Sequence, residues 1–172
     1  MVQHAILVNG IPASGKSSLA AELAEAAGAT MISLDTVLES LADAAEYRFP
    51  REPLQQLAND TSWRLAGIVD ELVVLESFWS RDRDREGVEE GIAAAGIRSV
   101  VEVWCDAPVD EAVQRYEERD RHGIHEEDPH DTDVWERAEP LALGPVVRVD
   151  TSASAGKADP AQLWEKVRAE LG

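Results

Sequence analysis

Residues 6–28 read ILVNGIPASGKSSLAAELAEAAG: an apolar run, a turn bracketed by Gly10 and Gly15, and an alanine-rich stretch with leucines at helical spacing. A short apolar run closed by a turn is the pattern of a buried strand, and the stretch after it has the period of an amphipathic helix. The turn spells G-x-x-x-x-G-K-[ST], with Gly10, Gly15, Lys16 and Ser17 in the defining places. A strand before and a helix after are the context in which this pattern forms an anion-holding loop. Glycine at those positions admits backbone angles and close approaches that a β-carbon would block. Successive N–H groups then turn inward as a nest, and the helix presents its positive end to the same point.

The ligand implied is a nucleotide. Gly10, Pro12, Ala13, Ser14, Gly15, Lys16, Ser17 and Ser18 are expected to cradle the phosphates of ATP. Lys16 can reach the β- and γ-phosphates, the Ser17 hydroxyl can join Mg2+, and Ser18 is a further phosphate donor. The competing reading is a chance glycine turn with an exposed lysine, which does not call for the strand and helix around it. A guanine-specific switch would carry an N-K-x-D element, and none is visible; a motor ATPase would need more chain for its extra modules. A chain of 172 residues has the size of a single domain and of the small P-loop kinases.

The strand-then-helix pattern recurs along the chain. HAILVN (4–9) leads into 16–27, TMISL (30–34) into DTVLESLADAAE, ELVVLESFW (71–79) into 84–95, RSVVEVWC (98–105) into 108–121, and PVVRVD (145–150) into PAQLWEKVRAEL, with an extra helix at about 54–70. Strands this apolar alternating with helices predict a five-stranded parallel sheet covered on both faces, a three-layer α/β sandwich. Residues 1–172 are expected to form one such domain, with no internal repeat. Ligands gather beyond the carboxyl ends of the strands in such sheets. That rule directs attention to residues 10–17, Asp35, 76–80, Asp106 and 150–156.

Composition excludes several classes. Acidic residues outnumber basic ones 34 to 16, for a formal charge of −18, and no lysine–arginine cluster stands clear of neighbouring acids. Nucleic-acid binding ordinarily needs a basic stripe, so such a partner is not expected; the acidity itself serves solubility. No apolar run approaches the roughly 20 residues of a spanning helix, and no signal peptide is recognised at the N-terminus. The single cysteine, Cys105, fits a reducing cytoplasm. Nothing in the residues addresses oligomeric state.

Two carboxylates fall at strand ends. Asp35, just past the second strand, could accept the proton of an attacking hydroxyl; it could equally cap the helix that begins at Thr36. Glu76, ending the third strand, could hold Mg2+ with Ser17 or stand as a solvated strand-end acid. Phe78 and Trp79 follow it, either as core or as a wall for an apolar acceptor.

These stretches together resemble the small P-loop kinases: ILVNGIPASGKSS, then ISLDTVLESL, then a third-strand acid, then an arginine-bearing lid. That group includes chloramphenicol phosphotransferase, gluconate kinase, zeta-type toxins and the polynucleotide kinase domain. The pattern is nearest that of chloramphenicol phosphotransferase, with VRVDTS echoing its V-D-T segment. The resemblance implies a nucleotide-kinase-like fold with a helical lid at about 115–133. It further implies ATP- and Mg2+-dependent transfer of the γ-phosphate to a hydroxyl of a small molecule, an antibiotic in the leading version, with Asp35 as the base. A nucleotide or polynucleotide kinase, or a nucleotide-binding regulatory or toxin-like protein, is the alternative. Residues 42–60, where such kinases shape the acceptor pocket, show no match, so the acceptor is not inherited.

RYEERDRHGIHEEDPHD (115–131) resembles the lid of these kinases. Arg115 and Arg119, four apart, are expected to share a helix face with His122 and swing over the phosphates, Arg121 being a third candidate. The alternative is surface pairing, Glu111 with Arg115 and Glu117 with Arg121. His122, His125 and His130, with Asp128 and Asp131, match no structural zinc spacing and suit a solvated loop. Arg48 and Arg51 in RFPREP are expected to be surface charges, though either could meet an anionic acceptor. In the resembling family the segment DTSASAGK (150–157) borders the adenine through backbone contacts.

Overall fold

The computed structural model describes residues 2–46, 48–120, 122–125 and 132–171. Its order is β1 (Val2–Asn9), α1 (Lys16–Ala27), β2 (Thr30–Ser33), α2 (Leu34–Ala44), α3 (Arg51–Ala66), β3 (Glu71–Glu76) and α4 (Arg81–Ala95). Then come β4 (Ser99–Asp106), α5 (Val109–Glu118), a 3-10 turn at Gly123–His125, α6 (Thr132–Glu136), β5 (Val146–Asp150) and α7 (Pro160–Leu171). The strands form one five-stranded sheet in the order β2-β3-β1-β4-β5, and every pairing is parallel.

Central strand β1 shows why two helical layers are needed. Ala5 and Leu7 point into one apolar cluster with Trp63 and Ala66 of α3 and Val88 and Ala95 of α4. Ile6 and Val8 point into the other, with Leu19 and Leu23 of α1 and Leu163 and Val167 of α7. A strand buried on both faces reads as a continuous apolar run rather than an alternation. Among the described residues no helix is long and apolar enough to cross a membrane.

Several boundaries move for local physical reasons. Helix α3 begins at Arg51, after Pro50, rather than near 54. Pro53 does not stop it, because a first-turn residue has no intrahelical N–H bond to lose. Strand β3 ends at Glu76 rather than running to 79. Beyond it the chain peels away, and the Trp79 backbone is held by the Asn9 side chain, its N–H donating to Oδ1 at 2.9 Å and its carbonyl accepting from Nδ2 at 3.0 Å.

The larger correction concerns the lid. Helix α5 stops at Glu118, and Arg119 is already extended (φ −84°, ψ 128°). Arg115, Arg119 and His122 therefore do not share a helix face. Glu117 and Glu118 in the last turn oppose the negative end of the helix dipole, which makes that turn a poor place to continue. The next described element is the 3-10 turn, docked on α2 through His122 Nε2 to Asp43 Oδ1 at 3.1 Å and His125 Nε2 to Glu39 Oε1 at 3.3 Å. Arg121, Asp128, His130 and Asp131 lie outside the described residues.

Candidate nucleotide and acceptor site

Where β1 gives way to α1, the backbone takes the shape the motif demands. Ala13 (φ 60°) and Gly15 (φ 88°) both lie in the left-handed region, and the Ser14 N–H closes a tight turn onto the Ile11 carbonyl at 3.1 Å. A side chain at Gly10 would meet Ser14 Oγ at 2.7 Å and the Cys105 carbonyl at 3.0 Å. Glycine is needed there for close approach. Helix α1 has no side-chain cap and no acid in its first turn, whereas α2 is capped by Ser33 Oγ. The Ser14 hydroxyl is fully buried with no hydrogen-bond partner. Uncapped amides, an orphaned buried hydroxyl and an unopposed positive helix end fit a bound polyanion. Pro12 and Ala13 are half-buried along this loop, and Ser17 and Ser18 are exposed at the helix start.

Below the loop, Glu76 is fully buried. It accepts from Ser17 Oγ at 3.1 Å and Ser33 Oγ at 2.8 Å, and Lys16 Nζ lies 3.7 Å from its Oε1. Glu76 is thus no solvated strand-end acid. The pairing of Ser17 with Glu76 puts a hydroxyl and a carboxylate together at the mouth of the loop, the hard oxygen donors that Mg2+ takes directly or through its waters. Among the described residues no cluster of three or more histidines, cysteines or acids could hold a metal. An Mg2+ here would be completed by phosphate and water.

Asn9 and Glu102 brace the loop from behind. Asn9 Oδ1 accepts the Gly10 N–H at 2.8 Å, and its Nδ2 donates to Glu102 Oε1 at 2.9 Å. Glu102, also buried, accepts the backbone N–H groups of Leu141 at 2.9 Å and Ala142 at 2.8 Å. Cys105 beside Gly10 is buried, and desolvation pushes its thiol up to about 12, so it stays a neutral packing group.

A cleft of about 730 Å3 opens in front of the loop, and Lys16 and Asp35 both line it. Asp35 lies in the first turn of α2, exposed, and it is Ser33 rather than Asp35 that caps the helix, accepting the Thr36 N–H at 3.4 Å. Opposite stand Arg51, Gln55 and Asn59 of α3 and Arg83 of α4, with Phe78, Tyr116 and Trp135 as aromatic walls. The Arg83 guanidinium lies 5.7 Å from the centre of the Phe78 ring and bonds both oxygens of Asp84. The Asp84 hydrogen bonds raise its pKa further, so its charge is permanent. Trp79 also lines the cleft, although it packs in the core and is only 5% exposed.

The expected lid arginines are elsewhere. Neither Arg115 nor Arg119 lines the cleft. Arg115 pairs with Glu111 at 3.0 Å and donates to the Thr151 carbonyl at 3.1 Å, while Glu111 also accepts the Ala153 N–H at 2.8 Å. Together they fasten the segment after β5 to α5. Arg48 turns outward to Glu46 at 2.8 Å, whereas Arg51, expected to be a mere surface charge, faces the cleft. Arg83 was not signalled at all: RDRDRE reads as a solvated helix face.

A family model described as an AAA domain matches residues 6–140. No curated protein sequence matches the chain. Among solved structures, a candidate kinase from Chloroflexus aurantiacus is 24% identical with a TM-score of 0.80, each chain covered over 100%. The APS kinase of Mycobacterium tuberculosis, solved with AMPPNP and APS, is 20% identical with a TM-score of 0.62, covering 98% of this chain and 97% of its own. The tunicamycin resistance protein of Deinococcus radiodurans is 18% identical with a TM-score of 0.61, covering 99% and 96%. These likenesses are of fold, and the fold they share is that of the small P-loop kinases.

Proposed function

The chain belongs to the AAA-domain family matched over residues 6–140, and from that premise we propose that it is an ATP- and Mg2+-dependent phosphotransferase acting on a hydroxyl of a small molecule. The observation that carries the reading is that Lys16 of the phosphate loop and Asp35 of α2 line one cleft large enough for an acceptor. A regulatory nucleotide switch would need the loop but not the furnished cavity before it. The nucleotide complexes among the P-loop kinases of the same fold support ATP as donor.

Bound Mg2+ATP supplies the γ-phosphoryl group, which passes to the acceptor oxygen as ADP leaves. The amides from Gly15 onward and Lys16 hold negative charge at the loop, and Ser17 with Glu76 offers oxygen donors to the metal. Asp35 accepts the proton from the acceptor hydroxyl; being exposed, it can also release it to water. Arg83, paired with Asp84 and 5.7 Å from the Phe78 ring centre, lines the cleft, whereas Arg115 and Arg119 do not. Positioning and electrostatics account for most of phosphoryl-transfer catalysis, so few groups suffice. A cytoplasmic setting, where ATP is made and Cys105 stays reduced, belongs to the same proposal, as does the absence of a nucleic-acid partner. An antibiotic acceptor remains one candidate within it.

The test is a panel of hydroxylated acceptors with γ-labelled ATP. Label is expected to move to at least one acceptor, with ADP released in equal amount. ATP turnover that is identical with and without every acceptor would overturn the phosphotransferase reading.

A further inference from the structure

The cleft does not end at Arg83. A second cavity of about 530 Å3 runs between α3 and α4, and Gln56, Asn59, Trp79, Arg83 and Asp84 line both. By volume the second cavity alone could hold a small ligand. The buried Trp63 and Trp79, with Val88 and Ala94, give its lining an apolar part.

Two glycines of α4 face this groove for different reasons. At Gly91 a β-carbon would strike the Trp63 ring at 2.3 Å, so packing requires the glycine. At Gly87 a β-carbon would meet nothing within 4 Å. Gly87 has helical backbone in the middle of Arg81–Ala95, where glycine weakens a helix relative to alanine. No packing contact asks for it, and the exposed Gly87 lines the groove.

The charges along the walls decide what chemistry fits. The Arg83 and Asp84 pair at the junction is closed on itself at 2.7 Å. Beyond it Arg64 stands with Asp60 and Glu90, and on the catalytic side Arg51 stands with Glu52. Neither sign of charge is in clear excess, and a chain of net charge −18 repels anions at long range. The amides of Gln56 and Asn59 offer both donors and acceptors, which suits hydroxyl groups.

We infer that the acceptor is an uncharged, hydroxyl-rich molecule of two or more linked rings. One end presents its hydroxyl at Asp35, and the rest lies past Arg83 in the α3–α4 groove against Gly87. This rests on the phosphotransferase reading and adds the substrate class.

The experiment measures ADP release by the full chain with Mg2+ATP. Its probes are uncharged glycosides of one, two and three rings, matched uronic acids and amino sugars, and its proteins are wild type, Gly87→Ala and Gly87→Leu. The best wild-type acceptor is expected to be an uncharged glycoside of at least two rings. In Gly87→Leu the ratio of kcat/KM for that acceptor over its one-ring counterpart is expected to fall about tenfold, through KM. Calorimetric affinity for the nucleotide and the melting temperature report that the fold has survived, and Gly87→Ala, with one methyl in the groove, lies between. A charged or one-ring compound as best acceptor, or a ratio untouched by Gly87→Leu, would overturn this inference and leave the kinase reading standing. Release stimulated by no compound would overturn the inference and count against the kinase reading as well.

Discussion

Asp35→Ala is expected to lower kcat for acceptor phosphorylation by about 10^2- to 10^4-fold, the range over which a positioned general base acts, while Mg-nucleotide affinity stays within about threefold. The separation follows from where Asp35 sits. The Thr36 N–H is already served by Ser33 Oγ, so removing the carboxylate does not uncap α2. What the helix loses is one acid near its positive end, worth about 0.3–1 kcal/mol. Two other described acids near the loop and cleft are already engaged, while Glu52 of α3 also lines the cleft. Glu76 is buried and bonded to Ser17 and Ser33, and Asp84 is held by Arg83 and the Ser80 N–H. Steady-state kinetics on the best acceptor, paired with calorimetry, checks both halves. A variant turning over within threefold of wild type would move the base elsewhere.

Glu102→Ala is expected to cost about 1–3 kcal/mol of unfolding free energy, the cost of leaving a buried donor unpaired. Three donors converge on this carboxylate: Asn9 Nδ2 and the N–H groups of Leu141 and Ala142. Removing it leaves the buried Leu141 N–H without its acceptor, the exposed Ala142 N–H open to water, and Asn9 Nδ2 with the Trp79 carbonyl alone. Asn9 loses one of the four bonds that orient it, which loosens its hold on the Gly10 N–H and the Trp79 backbone. Nucleotide affinity should therefore fall along with stability, although Glu102 touches no ligand. Urea unfolding gives the first quantity and titration at low temperature the second. A loss below about 1 kcal/mol would mean that the network is not the brace described here.

The fold was legible where the signal was redundant. Five apolar runs, each followed by a helical period, specify a doubly covered parallel sheet, and the glycine-bracketed turn at 10–17 marks its functional edge. Glu76 could be placed beside Ser17 because strand ends in such sheets meet at one rim. What defines the acceptor cleft left no comparable trace. Arg51, Gln56, Asn59 and Arg83 come from two helices whose packing angle no spacing encodes, and on a helix a polar residue that faces a cavity looks like one that faces solvent. The helix face expected to be shared by Arg115, Arg119 and His122 failed for the converse reason: a four-residue spacing guarantees a shared face only while the helix lasts, and α5 ends at Glu118. Glu102 did leave a signal. A lone acid inside the apolar run VVEVWC has to find several donors if the strand is buried on both faces.

The backbone cup at Gly10–Ser17 is the feature on which every later step depends, and titrating AMPPNP with Mg2+ into the folded protein measures it directly. One site of micromolar affinity is expected, weakened by about 100-fold in Lys16→Ala, the cost of losing a charge-assisted contact from a site 6% exposed. No heat of binding to a wild-type chain that retains its circular dichroism, or equal affinity in the two proteins, would contradict it.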